Sequence, residues 1–315
     1  NLKQRQAKQD DERYRRIFAE VGLRNEHLIS PVLVSDKRGD IELMPGISVT
    51  PVEKVVDHTQ SILDVGINSI IIFGIPKARD DKGLPAANRD GIVQQATRAI
   101  KAGFGTSINI ITDVCVCQYN LSGHCGILYD HTIHNDGTLK MLAEIATSHA
   151  EAGADVVAPS SMTDGQVKVI KSALEGFKTK ILSYSAKHAS SLYMPFRSAA
   201  FAKAKTQIDK SSYQVSYANP RQVLREIETD INEGADMVMI KPALAYLDLV
   251  RMVKDRFRFP LAVQNVSGEY AMIKAAAMHH WIDEIEWKVY SIASIKRAGA
   301  DRIISYFSPE AAKYL

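Results

Sequence analysis

The chain has 315 residues, 46% hydrophobic and 24% charged, with a formal net charge of +3. This predicts a soluble globular protein with enough apolar mass for one large α/β domain. The charge is too mild, and the basic residues too scattered, for nucleic acid or an anionic membrane, and no apolar run reaches the ~20 residues of a membrane span, so neither is expected as a partner.

Residues 1–28 are polar and helix-favouring, with Tyr14, Ile17, Phe18 and Val21 at helical spacing, and read as an N-terminal arm. They lack the apolar core of a signal peptide, which points to a cytoplasmic protein. Residues 29–315 hold eight apolar strand candidates, at 31–34, 69–75, 108–114, 155–160, 180–185, 236–241, 260–265 and 302–307, most separated by helix-length segments. Four transitions echo one another: Asp64-Val-Gly-Ile-Asn68, Glu151-Ala-Gly-Ala-Asp155, Asn232-Glu-Gly-Ala-Asp236 and Arg297-Ala-Gly-Ala-Asp301. Each puts glycine where a helix stops before a strand, because glycine accepts the left-handed conformation there. The pattern predicts an α/β chain folded as a (β/α)8 barrel, and the absence of Gly-x-Gly-x-x-Gly after the first strand argues against a dinucleotide-binding sheet. One connection, about 192–221, mixes Pro, Ser, aromatic and basic residues without a helical stripe. It follows a strand's C-terminal end and reads as an active-site lid.

Three cysteines fall within eleven residues, in Asp113-Val-Cys115-Val-Cys117 and His124-Cys125, directly after a strand. An odd, clustered set argues against a disulfide framework, and three thiolates select zinc or another soft metal with a fourth position free for chemistry. The structural alternatives are a closed site using His124, His131 or His134, a cluster ligated by the three cysteines, or buried unligated thiols; in the catalytic reading Asp113 or His124 could serve as orienting groups. Lys241 ends the apolar run Met237 to Ile240, and Lys187 stands just beyond the strand at 180–185. Two strand-end lysines on the active-site face depress each other's pKa, which favours Schiff-base chemistry on carbonyl substrates. Snorkelling to the surface is the alternative for either one. Ser267 and Tyr306, at the last two strand ends, are candidates for binding a carboxylate.

From about residue 28 onward the chain resembles the porphobilinogen synthase (5-aminolevulinate dehydratase) family. The motifs that carry the likeness are Phe73-Gly-Ile-Pro76, Asp113-Val-Cys-Val-Cys117 with Gly123-His-Cys-Gly126, Ala158-Pro-Ser160 with Asp164-Gly165, Tyr184-Ser-Ala-Lys187, Pro195-Phe-Arg197, Met239-Ile-Lys-Pro242, Leu247-Asp248 and Val266-Ser-Gly-Glu-Tyr-Ala-Met272. The resemblance implies a TIM barrel that condenses two 5-aminolevulinate molecules into porphobilinogen with loss of two waters, in tetrapyrrole (haem) biosynthesis. It implies a Schiff base at Lys241 with the first substrate, whose carboxylate Ser267 and Tyr306 hold. It further implies that Lys187 engages the second substrate, whose carboxylate meets Arg197, Lys210 and Gln214 of the lid, while Asp113 and Ser160 line the pocket. Zinc on Cys115, Cys117 and Cys125 would activate the second substrate as a Lewis acid or through a bound hydroxide. A homo-octamer built on dimers exchanging N-terminal arms is implied, as is an allosteric magnesium at Glu226. The chain departs from the family pattern at Met194, Ser198, Lys210, Ser122 and Ser161-Met-Thr163.

Overall fold

The computed structural model describes residues 20–37, 39–130, 132–200 and 209–315. Eight parallel strands form its centre: β1 (Leu28–Ser35), β2 (Ser69–Ile75), β3 (Asn109–Val114), β4 (Val156–Pro159), β5 (Lys180–Lys187), β6 (Met237–Lys241), β7 (Leu261–Asn265) and β8 (Arg302–Ser305). Each pairs with the next in sequence, and β8 returns to β1 with Leu28 opposite Ile303, so the sheet closes and has no edge. The helices around it are α1 (Val55–Asp64), α2 (Ile92–Phe104), α3 (Asn135–Glu151), α4 (Gln166–Ala173), α5 (Met194–Ala200), α6 (Pro220–Glu233), α7 (Leu247–Phe257), α8 (Ser267–Met278), α9 (Glu284–Ala298) and α10 (Ser308–Ala311). Among the described residues no helix is long and apolar enough to cross a membrane.

The echoed transitions have a structural reason. Gly153, Gly234 and Gly299 have φ of 100°, 102° and 124°, which ends each helix and turns the chain into the next strand. The aspartate two residues on then reaches sideways to the neighbouring strand. Asp155 accepts from the Ile110 amide at 2.8 Å, Asp236 from Ile181 at 3.0 Å and Asp301 from Leu261 at 2.9 Å. Lys101, Lys180 and Lys254 pair with the same carboxylates. These clamps stitch β3 to β4, β5 to β6 and β7 to β8 at the N-terminal end of the barrel. In the fourth copy Asn68 replaces aspartate, and its backbone carbonyl accepts from Asn109 instead.

The eight predicted strands all form, as a (β/α)8 barrel, with ends shifted by a few residues. Leu28, read from the sequence as the last arm residue, opens β1; residues 1–19 of the arm lie outside the described residues. The lid connection differs from its irregular expectation. Ser191–Tyr193 is a 3-10 turn, Met194–Ala200 is a helix, and Pro220 starts α6, while residues 201–208 lie outside the described residues. A helix of seven residues spans two turns, too few for a periodic apolar stripe to be read.

Asp301→Ala removes the acceptor of the Leu261 amide and the partner of Lys254. A loss of about 1–3 kcal/mol is expected, read as a thermal midpoint lowered by several degrees. Turnover at saturation should be unchanged, because the clamp sits at the barrel end opposite the strand-end lysines.

Candidate active site

Lys187 and Lys241 are directly opposite each other on neighbouring strands. The register that puts them there contains a bulge: Ser183 faces Val238 and Ala186 faces Ile240, so three steps of β5 match two of β6. Ser183, on the outer side of the strand, bonds to Asp230 of α6 at 2.7 Å. Tyr184 points inward, and its hydroxyl donates to Gln264 of β7 at 3.1 Å.

The Lys241 amine lies 5.2 Å from the Tyr184 ring centre, 5.3 Å from Tyr193 and 5.9 Å from Phe73. Burial first, and the Lys187 cation second, bring its pKa down to about 7, against the opposing pull of Asp113 and Cys117. Lys187 is buried and donates to the Ser160 carbonyl at 2.6 Å. Asp113 is also buried. Burial pushes its carboxyl up, while Lys187 and hydrogen bonds from Ser160 and Gln118 hold it down, with Gln118 donating at 3.1 Å.

The thiols of Cys115, Cys117 and Cys125 are buried and lie within 4.8 Å of one another. Cys125 is held well below the usual thiol range by hydrogen bonds from Cys115 and Cys117, with the Lys210 ammonium adding to the effect. The Lys210 amine stands 3.1 Å from its sulfur. Burial drives Cys115 the other way. Three converging sulfurs, one of them already favoured as thiolate, suit a soft or borderline metal ion, whose charge would favour the thiolate form of the other two. Neither His124 nor His134 joins them: His124 contacts the Tyr213 hydroxyl at 3.2 Å, and His134 caps α3 by accepting from Gly137. His131 lies outside the described residues.

Cys117, Asp113, Ser160, Lys187 and Lys241 line one pocket. Ser267 and Tyr306 form one side of it, and Arg197, Lys210 and Gln214 come from the lid. Gln214 is buried, and among the described residues neither polar atom of its amide has a partner. Ser267 holds the lid: its hydroxyl donates to the Leu192 carbonyl and accepts from the Phe196 amide, both at 3.2 Å. Lys210, expected at a substrate carboxylate, faces Cys125. Ser198 turns back onto the Pro195 carbonyl at 2.8 Å, and Met194 is exposed. Glu226 stands apart, on α6 beside a second cavity shared with Asp164, Gln222 and Tyr213.

Several residues in and around the pocket were missed from sequence. Gln118 follows Cys117 directly, and its polar side chain within an otherwise buried run was a usable signal. Tyr213 is one of the aromatic residues of the lid connection, and its hydroxyl accepts from the Cys125 amide at 3.2 Å. Tyr184 enters only as part of a motif and Gln264 not at all, because the bond between them joins β5 to β7, which only the folded barrel brings together.

A family model described as delta-aminolevulinic acid dehydratase matches residues 2–314. The chain is similar to the delta-aminolevulinic acid dehydratase of Archaeoglobus fulgidus, 48% identical over 306 residues that cover 95% of this chain and 94% of the relative. It is 42% identical to the Staphylococcus aureus protein of the same name over 301 residues, 93% of this chain and 92% of the relative. A crystal structure of delta-aminolevulinic acid dehydratase (porphobilinogen synthase) from Toxoplasma gondii, in complex with the reaction product porphobilinogen, superposes with a TM-score of 0.94. Its sequence is 35% identical, and the match covers 98% of this chain and 90% of that one.

The amine of Lys241 should react with a small amine-directed acylating reagent at a rate that rises through about pH 7, since the neutral form predominates above that value, and levels off above about pH 8. Peptide mapping across pH checks this. Lys187→Met removes the neighbouring cation and should move the inflection to higher pH. An inflection that stays in place would show that burial alone sets it.

Proposed function

The chain belongs to the delta-aminolevulinic acid dehydratase family, and we propose that it makes porphobilinogen from two 5-aminolevulinate molecules with its two strand-end lysines dividing the substrates. The observation that carries this reading is the opposition of Lys187 and Lys241 in one pocket with three convergent thiols. The neutral amine of Lys241 attacks the ketone of the first substrate, water leaves, and the resulting imine withdraws electrons from the adjacent carbon, which becomes the nucleophile for carbon–carbon bond formation. Ser267 and Tyr306 receive that substrate's carboxylate. This requires the Ser267 hydroxyl to exchange its bonds to Leu192 and Phe196 for the substrate, so filling the first site loosens one attachment of the lid.

Lys187 engages the second substrate, with Asp113 and Ser160 beside it. Arg197 and Gln214 take the second carboxylate, and the unpartnered amide of Gln214 supports its assignment, since a buried amide without a partner costs free energy until a ligand supplies one. Zinc held by Cys115, Cys117 and Cys125 supplies Lewis acidity toward the second substrate's polar groups. Lys210 offsets negative charge at Cys125 in the present arrangement and turns to the carboxylate only if it leaves that sulfur. Self-association as a homo-octamer through the N-terminal arm, and a regulatory magnesium at Glu226, belong to the same proposal. Burial raises the Glu226 carboxyl, and Asp164 nearby raises it further, which a bound cation would relieve.

Incubation with 5-aminolevulinate and zinc should give a pyrrole detectable with acidic dimethylaminobenzaldehyde. Chelation should abolish the colour and zinc restore it, and borohydride should fix substrate on Lys241. Cys125→Ala that keeps full activity after chelation would sink the zinc assignment; label only on Lys187 would reverse the order of the two substrates.

Arg197→Ala should raise the substrate concentration needed for turnover by an amount equivalent to about 2–4 kcal/mol, because a carboxylate in a closed site loses a bidentate partner. Trapping at Lys241 should persist. Loss of the Lys241 adduct in this variant would move Arg197 to the first substrate's site.

A further inference from the structure

Glu269, the third residue of α8, has no part in the chemistry above, yet its carboxylate is buried beside that chemistry. One oxygen, Oε1, accepts from the amides of Ala243, at 3.0 Å, and Leu244, which lie two and three residues beyond Lys241. The other, Oε2, accepts at 2.6 Å from the amide of Val266, the residue before Ser267. A glutamate at this helix position ordinarily reaches back only to the amide that precedes its own helix. Here the second oxygen also grips a neighbouring βα connection. Burial pushes the carboxyl up to about 7, and the three amides, with Lys241 after them, hold it down. A carboxylate can serve both backbone stretches at once because it has two acceptor oxygens, whereas a side-chain amide has one.

We propose that Glu269 is a positioning residue that sets the spacing between Lys241 and Ser267 by clamping the backbone leaving the lysine to the backbone entering the serine. The proposal rests on the assignment of Lys241 and Ser267 to the first substrate. That substrate has a ketone and a carboxylate separated by a fixed run of carbons, so both ends engage only if the two anchors keep their distance. A displacement near 1 Å costs on the order of 100-fold in rate.

The test compares borohydride trapping at Lys241 by two ketones, 4-oxopentanoate, which carries the carboxylate, and butanone, which does not. Wild-type protein should prefer 4-oxopentanoate. Equal trapping of the two, or label on another lysine, would overturn the assignment of Lys241 and Ser267 and the present proposal with it. In Glu269→Gln the preference should fall by about 10- to 100-fold, through slower trapping of 4-oxopentanoate while butanone is trapped at close to the wild-type rate. Glu269→Asp keeps the charge and both oxygens on a shorter stem, so its preference should lie between the two, with faster amide exchange at Ala243 and Leu244. If Glu269→Gln does not fold, the aspartate variant carries the test. A folded variant with wild-type preference, or one that slows both ketones by the same factor, would overturn the proposal while leaving the substrate assignment intact.

Discussion

Two lysines stand opposite each other at one ladder position and line one pocket, and the rest of the site answers to that constraint. Two ammonium groups sharing one buried pocket repel each other, and burial strengthens the repulsion. The pocket resolves this unequally. Lys187 has a short bond to the Ser160 carbonyl, whereas Lys241 has aromatic faces around it and gives up its proton near neutral pH. The two environments therefore differ, one suited to a neutral amine and the other to a hydrogen-bonded one, although both are lysines at equivalent strand ends. The extra residue in β5 makes the opposition possible, because it resets the inward and outward alternation just before Lys187.

Charge around the pair is distributed by the same logic. Asp113 and the thiol cluster supply the negative counterpart that a pocket with Lys187, Lys241, Lys210 and Arg197 requires. The cluster spreads its charge unevenly, favouring the thiolate at Cys125 beside Lys210 and the thiol at Cys115. A cation bound by all three sulfurs would remove the reason for Lys210 to stay there, which couples the state of the cysteines to the lid that carries Lys210.

The lid is held mechanically as well as electrically. The 3-10 turn that leads into α5 packs against the first turn of α8 so closely that a Cβ on Gly268 would stand 2.5 Å from the Leu192 backbone, too close for any side chain there. Phe196 meets Phe73 edge to face with ring centres 5.6 Å apart, and the Arg79 guanidinium donates to the Ala200 carbonyl at the far end of the helix. The anchors come from β2 and the connection after it on one side and from the start of α8 on the other, so α5 is held from two parts of the barrel rim. Ser267 is the one anchor that the proposed chemistry also needs.

The eight strands, the glycine stops and the chemical identity of the site were legible in the sequence because they are local. Apolar runs of strand length, a glycine before each turn and three cysteines within eleven residues need no knowledge of what lies across the barrel. Lys241, Lys187 and the cysteines could be placed on one face because a barrel sends all its strand ends the same way. What could not be read depended on register and on contacts between distant segments: the bulge that turns Lys187 inward, the helix hidden in the lid, the seat of Lys210 on Cys125, the Ser267 bonds to Leu192 and Phe196, and the double grip of Glu269. The sequence determined which groups are available for chemistry, since reactivity belongs to residue types. Only the closed barrel decided their distances and protonation, because burial and neighbouring charge come from residues far apart in the chain.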